Sequence, residues 1–437
     1  MNRISFLNFQ RATNKIIFNY KIEISEVLET KCWRGVENGE LFFEFNVANN
    51  PSEDAITVAL SCIVGVLKFD EVHFDCIVHR NTAQKIKKFC KSKITFRTIL
   101  SNDYVVSFEE KVILNFSGGL DSLASLSLIE RNKLRLVSIE FGGNFKRESD
   151  FFTKFDPFIV KTNFRQLPFF KKLESKNWQF MGVGTILFCE LLKAKYFIFG
   201  SILEADPNLN VKVGTKIKPF DILGLESINL VRGMTELTTT KIACNFQDFS
   251  TIQASLNSLS DPGSGKRFRK DLLVYVFNPT IKINRTRTTY EFGKDYTFDF
   301  LLLYIIKKRG LTFSLQFVKN IPPEIVALVN NLTLSFYERV HPCSLVGFPT
   351  TSFMKYFLEK IMSNNILFYE PKDFQELSEV RNVLAEFYGQ KNNHIDFQIN
   401  YDPHKHPDNS MSWLNTQISL LSKGLKALRN KIIKVRK

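Results

Sequence analysis

The sequence predicts an α/β protein built round a Rossmann-like parallel sheet, and three observations carry that expectation. Residues 109 to 278 alternate strand-like and helix-like patterns. Strands alternating with helices form parallel sheets, because a parallel pair needs a crossover long enough to hold a helix. The apolar run Val112 to Phe116 passes straight into Ser117-Gly118-Gly119 and then into a helical stretch. Finally, 44% of the 437 residues are hydrophobic, enough for a sizeable core and for two or three domains.

The elements fall into three blocks. Residues 1–108 read as an α+β N-terminal domain. Lys15 to Ile24 and Glu40 to Val47 have the β-branched and aromatic content of strands, Ala55 to Leu67 reads as a buried helix, Glu71 to Cys76 as a strand and Thr82 to Lys91 as a helix. In the central block, 109–278, the Gly turn leads to a helix over Asp121 to Glu130. Leu134 to Phe141 and Phe158 to Val160 are strands, and the helix Gly182 to Ala194 enters a strand at Tyr196 to Gly200. Residues 279–437 form a mostly helical C-terminal region, with Phe298 to Lys308, Glu324 to Glu338 and Ser352 to Met362 as its best segments. A last helix follows from Leu414, Ile418, Leu421, Leu425, Leu428 and Ile432, whose alternating spacing of four and three lines one face. Its lysine-rich remainder is expected to stay solvated.

The net charge of +15 is compatible with nucleic acid, a membrane surface or an anionic substrate. The 43 Phe and the many Lys, Asn and Ile suggest a biased base composition. The charge therefore reads first as a generic basic surface beside a nucleotide site, with nucleic acid as the lesser alternative. Seven Cys, at 32, 62, 76, 90, 189, 244 and 343, never adopt Cys-x-x-Cys spacing, which speaks against a zinc ribbon or thioredoxin motif and fits reduced thiols. The start Met1-Asn2-Arg3-Ile4 lacks a signal-peptide pattern, and no apolar run reaches the roughly 18 residues of a membrane span. A cytoplasmic protein is expected. His404 and His406, with Asp402, sit among prolines and read as an exposed loop rather than a metal site.

The chemistry concentrates at Phe116 to Ser122. Gly118 and Gly119 let the backbone turn tightly and approach an anion. The helix that follows, through Leu120 and Asp121, offers free N–H groups and the positive end of its dipole to a phosphate. The Ser117 and Ser122 hydroxyls can donate to it. Asp121 cannot bind phosphate directly and fits a role as helix cap or Mg²⁺ ligand. Downstream, Gly263-Ser264-Gly265-Lys266 imitates a Walker A loop. Ser260 replaces its first Gly and Arg267 its Ser or Thr, so it reads as a surface loop.

The string Ser117-Gly118-Gly119-Leu120-Asp121-Ser122 resembles the SGGxDS signature of the PP-loop ATP pyrophosphatases, whose fold is of the adenine nucleotide alpha hydrolase-like type. Within them residues 111–275 look most like the 7-cyano-7-deazaguanine synthase (QueC) family. Phe116 matches its FSGGxDS, Phe141-Gly142-Gly143-Asn144-Phe145-Lys146-Arg147-Glu148-Ser149-Asp150 is similar to its YGQRHRAEID, and Phe199-Gly200-Ser201-Ile202-Leu203-Glu204-Ala205-Asp206 to its TGVxETD. The resemblance implies ATP and Mg²⁺ at the loop, with Asp121 as metal ligand and Ser117, Asp121 and Ser122 as catalytic residues. Phe141, Gly142, Gly200 and Ser201 would complete the ATP site. Lys146, Glu204, Asp206 and, in place of the family's lysine, Arg232 or Lys241 would bind substrate.

Three features depart from the family. Its PDCR-like substrate string is absent from Pro207 to Lys218, Glu236 stands near its lysine, and its four-cysteine zinc knuckle should fall in Ser255 to Leu272, which has no Cys. No zinc is therefore expected. The long chain resembles the QueC-like proteins of antiphage defence systems such as Qat and type IV CBASS. The expected activity is that of an ATP pyrophosphatase and amide-forming ligase, adenylating a carboxylate such as a 7-deazaguanine acid. It would pass the acyl group to an amine, with a partner protein from the same operon as a candidate carrier of that amine. The alternatives are a PP-loop enzyme acting on tRNA or a nucleobase, and a degenerate nucleotide-binding partner.

Overall fold

The computed structural model describes residues 1–25, 34–65, 69–168, 178–205, 215–279 and 290–391. Asp206, Asp402, His404, His406 and the basic final helix lie outside the described residues.

Ten strands form one sheet: β1 (Arg3–Ala12), β2 (Lys15–Ile24), β3 (Gly35–Phe45), β4 (Glu71–His79), β5 (Lys93–Leu100), β6 (Glu109–Asn115), β7 (Leu134–Glu140), β8 (Phe158–Thr162), β9 (Ala194–Ile198) and β10 (Glu226–Ser227). Their order across the sheet is β10-β9-β6-β7-β8-β3-β2-β1-β4-β5. The run from β10 to β8 is wholly parallel, as is β1-β4-β5. Antiparallel pairings of β3 with β8, β2 with β3 and β1 with β2 join the two parallel sets. The molecule is thus α/β, with a large mixed sheet consistent with a Rossmann-like core.

The sheet crosses residue 108 without a break: Phe43 pairs with Thr162 and Phe45 with Val160. One core lies beneath the join. Helices α1 (Glu53–Val64), α2 (Arg80–Cys90) and α5 (Val183–Leu192) cover the same face of the sheet. The Phe45 and Phe188 rings meet edge to face 5.4 Å apart, and the Asn49 amide donates to the Leu187 carbonyl at 2.9 Å. The N-terminal block and the central block therefore share both sheet and core.

Between β6 and β8, helices α3 (Leu120–Ser127) and α4 (Lys146–Phe152) cover the opposite face. Helices α6 (Glu236–Phe246), α7 (Phe249–Leu259) and α8 (Gly265–Phe277) pack over that layer. Behind them lie α9 (Tyr296–Arg309) and α10 (Pro323–Asn331), α11 (Thr351–Ser363) joins the core of α3 and α4, and α12 (Pro371–Lys391) packs with α9 and α10. The helix expected over Glu324 to Glu338 stops at Asn331. Glu376 takes the Thr333 and Leu334 N–H groups at 2.9 and 2.8 Å, and Leu334 turns left-handed (φ 57°) before a short 3-10 turn at Ser335–Glu338. No described helix is long and apolar enough to cross a membrane.

Phe188 is fully buried in the shared core. Phe188→Ala should cost about 3–5 kcal/mol. Urea unfolding of this variant should show one transition for both blocks, read by fluorescence and by far-ultraviolet circular dichroism; two separated transitions would show that they fold independently.

Candidate functional site

The parallel strands from β8 to β10 run in the order β8-β7-β6-β9-β10, so the chain moves one way from β6 and then returns to its other side. Helices α3 and α4 accordingly lie on one face and α5 on the other. The loops after β6 and β9 diverge, leaving a crevice at the carboxyl ends of the strands, where open α/β sheets bind ligands. A cavity of about 610 Å³ occupies that place.

The loop after β6 forms its floor. The Phe116 N–H still donates to Val137 of β7 at 2.8 Å, after which the backbone turns at Gly118 with φ 78°. A Cβ on Gly118 would lie 2.5 Å from the Phe151 ring, so both conformation and space demand glycine. The Ser255 hydroxyl donates to the Gly118 carbonyl at 2.6 Å and the Ser138 hydroxyl to the Phe116 carbonyl at 2.6 Å. The Ser117 and Ser122 hydroxyls are 3.1 Å apart. Gly119 occupies the N-cap of α3 and no side chain caps that helix, so its first turn faces the cavity with donors to spare.

Behind Asp121 lies a buried charge network. The Thr239 hydroxyl donates to Asp121 Oδ1 at 2.5 Å, and Lys270 Nζ stands 3.6 Å from Asp121 Oδ2. Lys270 also pairs closely with Glu236, which Arg269 Nε approaches at 3.4 Å. Burial alone would lower the Lys270 pKa, but the Asp121 and Glu236 carboxylates outweigh it and raise it. Burial alone would raise that of Glu236, but Lys270 and Arg269 reverse the direction. Glu204 Oε1 accepts the Glu236 N–H at 2.8 Å at the start of α6. Burial first, then the Glu236 charge, push the Glu204 carboxyl well above its usual range. Burial and the neighbouring charge thus favour the protonated form of Glu204, while Lys270 and Arg269 favour the charged form of Glu236.

The walls are largely apolar. Val137, Ile139, Phe141 and Phe152 form the β7 side, with Met181 and Phe199 opposite. Polar groups interrupt them at Glu148 on α4 and at Asn229 and Arg232 beyond β10. Burial raises the Glu148 pKa against the pull of Lys266, Arg165 and Arg147. Arg165 braces the β7 side from behind, its guanidinium 4.2 Å from the Phe141 and Phe145 ring centres. Asn229 is 4% exposed, and its side-chain N–H₂ has no hydrogen-bond partner among the described residues.

Of the residues expected at the nucleotide, Phe116, Ser117, Gly119, Asp121, Ser122 and Phe141 line the cavity, as do Gly200 and Ser201. Gly118, Leu120 and Gly142 shape or back the wall without lining it. Of those expected at the substrate, Arg232 alone among the described residues lines it. Lys146 points to solvent beside Asp150, and Lys241 pairs with Glu338. Glu204, expected on a loop at the rim, is buried at the α6 N-terminus. The cation beside the loop is Lys270, which sequence reasoning missed. The Gly263-Ser264-Gly265-Lys266 string is not simply a loop, since Ser264 caps α8 through the Arg267 N–H at 3.2 Å.

Comparison with known proteins finds no matching family model, no matching curated protein and no matching solved structure.

Because Glu204 has a raised pKa when folded, the stability it contributes is full below its unfolded value and is lost as pH rises towards the folded one. Glu204→Gln keeps the acceptor for the Glu236 N–H and removes that loss. The variant should therefore exceed the parent in urea stability at pH 8, with the margin shrinking towards pH 4. A margin independent of pH would show that Glu204 is ionised in the folded protein. Gly118→Ala should cost about 1–3 kcal/mol through backbone strain alone, before any contact with Phe151; an unchanged urea midpoint would contradict the turn geometry.

Proposed function

We propose that the protein is an ATP pyrophosphatase that activates a carboxylic acid as its adenylate. One observation carries the reading: an uncapped helix N-terminus behind Ser117-Gly118-Gly119, at the strand-order switch, opens into a cavity of nucleotide size. The resemblance of the same string to the PP-loop signature supports it. The loop N–H groups and the Ser117 and Ser122 hydroxyls would hold the phosphates, with the base against the apolar β7 wall. The residues also suit Mg²⁺, which commonly takes one carboxylate plus substrate phosphates and waters. Asp121 would supply that carboxylate, and the ion would neutralise phosphate charge.

On the β10 side, Arg232 and the Asn229 amide, unpartnered among the described residues, offer donors that suit the carboxylate of an acceptor molecule. The flat apolar wall beside them suits an aromatic acid such as a deazaguanine. The carboxylate oxygen attacks the α-phosphorus, the bond to the bridging oxygen breaks, and pyrophosphate leaves. Donors fixed in advance at the loop stabilise the developing charge. An amine then displaces AMP from the acyl-adenylate, forming an amide and releasing a proton. A protein amine on a partner from the same operon is preferred to ammonia, because the N- and C-terminal blocks add surface that a small-molecule reaction does not use.

Pyrophosphate release from ATP-Mg in the presence of candidate acids tests the reading. Asp121→Asn should lower it by about a hundredfold or more, the scale of losing one preorganised electrostatic contact. Asn229→Asp replaces a donor with a like charge and should raise KM for the acid by roughly tenfold to a hundredfold, the worth of a charge-assisted hydrogen bond, with KM for ATP little changed. Equal turnover by Asp121→Asn and the parent would sink the proposal.

A further inference from the structure

We infer that Lys270 is a positioning residue that acts through Asp121, setting the loop's acid from a helix in the far layer of the fold. The role rests on the reading of Asp121 as the functional acid of the site.

Lys270 is 5% exposed and is not a surface cation; it lies 3.6 Å from Asp121, which does line the cavity. A buried lysine is costly unless its charge is matched. Here it faces two carboxylates, Glu236 in close contact and Asp121 at 3.6 Å. Glu236 also has Arg269 at 3.4 Å, and burial with the Glu236 charge pushes the neighbouring Glu204 carboxyl upward. Arg269 is itself shared with Asp295 at 3.8 Å, so Lys270 is the cation that lies between Glu236 and Asp121.

The placement is built from rigid parts. Ser264 caps α8, and the buried Arg267–Asp271 pair one turn further on, with Nε to Oδ1 at 2.7 Å, fixes the helix on the side adjoining Lys270. Thr239 on α6 holds the other oxygen of Asp121 at 2.5 Å. Asp121 is thus gripped from two helices, by a hydroxyl on one oxygen and an ammonium on the other. A carboxylate hydrogen-bonded through one oxygen and facing an ammonium across the other is biased towards one orientation at the α3 N-terminus, where the helix dipole alone would not set it.

A four-protein cycle decides the matter: the parent, Asp121→Asn, Lys270→Met and the double variant. If Lys270 works through Asp121, Lys270→Met alone lowers kcat for pyrophosphate release at least tenfold with KM for ATP within threefold, Lys270→Arg recovers part of the loss, and the double variant is no slower than Asp121→Asn alone. Losses that multiply in the double variant, or a fully active Lys270→Met, overturn the inference. The same four proteins unfolded in urea without nucleotide read the pairing independently of turnover. The unfolding constant of the double variant should then depart from the product of the single effects by roughly fivefold or more, a typical coupling for residues in contact. Strict additivity overturns the pairing. A parent that releases no pyrophosphate with any acid overturns the function proposed for the site, while the urea cycle still decides the contact. Should Lys270→Met alone fail to fold, the Glu236→Gln/Lys270→Met pair, which removes one charge of each sign, takes its place.

Discussion

The reversal of strand order at β6 is the constraint on which the rest of this structure depends. Crossovers between parallel strands are right-handed, so a chain that moves one way from β6 to β8 and then returns to its other side at β9 must place its helices on opposite faces. That forces α3 and α4 apart from α5 and opens a crevice above β6. The glycine turn sits under the crevice because β6 ends there. Its position is a consequence of topology, and its sequence makes the position usable.

A second consequence concerns charge. An acid at the start of α3 lies between the sheet and the helical layer behind it, where water cannot balance it fully. The chain answers with groups drawn from other elements: the Lys270 ammonium from α8 and the Thr239 hydroxyl from α6 face Asp121, while Arg269 of α8 faces Glu236 of α6. Burial pushes the Glu204 carboxyl upward and so disfavours a second negative charge at the α6 N-terminus. The helical region after β10 is thereby coupled to the loop. The N-terminal strands are tied to the same unit from the other side, through β3 on β8 and Asn49 and Ser52 on α5.

The parts of the fold legible in the sequence were those with strong local signals. The run Val112 to Phe116, the glycine pair and the alternating strands and helices of the central block placed the parallel sheet and its loop correctly. β1 was missed because its outer end, from Phe9 to Ala12, is largely exposed and polar, with only Ile4 and Phe6 fully buried. The pairing of β3 with β8 was invisible, since nothing local in Phe43 or Thr162 names its partner across so long a stretch of chain. Half of the site followed the same rule. Phe116 to Ser122, Phe141, Gly200 and Ser201 were legible as strand ends around a loop. Lys270 was not: it follows a string that reads as a surface loop, in a stretch noted only for its lack of Cys, whereas Arg267 and Lys270 are buried by partners that only the tertiary fold supplies. Lys241 and Lys146 erred the other way, as bases near the motifs in sequence that spend their charge on Glu338 and Asp150.

The central claim is that the loop at the switch point directs cleavage of ATP between its α- and β-phosphates. The identity of the products tests it most directly. Phosphorus NMR of ATP-Mg incubated with the full chain and an aromatic carboxylic acid should show AMP and pyrophosphate accumulating in equal amounts, with no ADP. Formation of ADP and orthophosphate, or nucleotide that remains unbound and intact at saturating protein, would contradict the account.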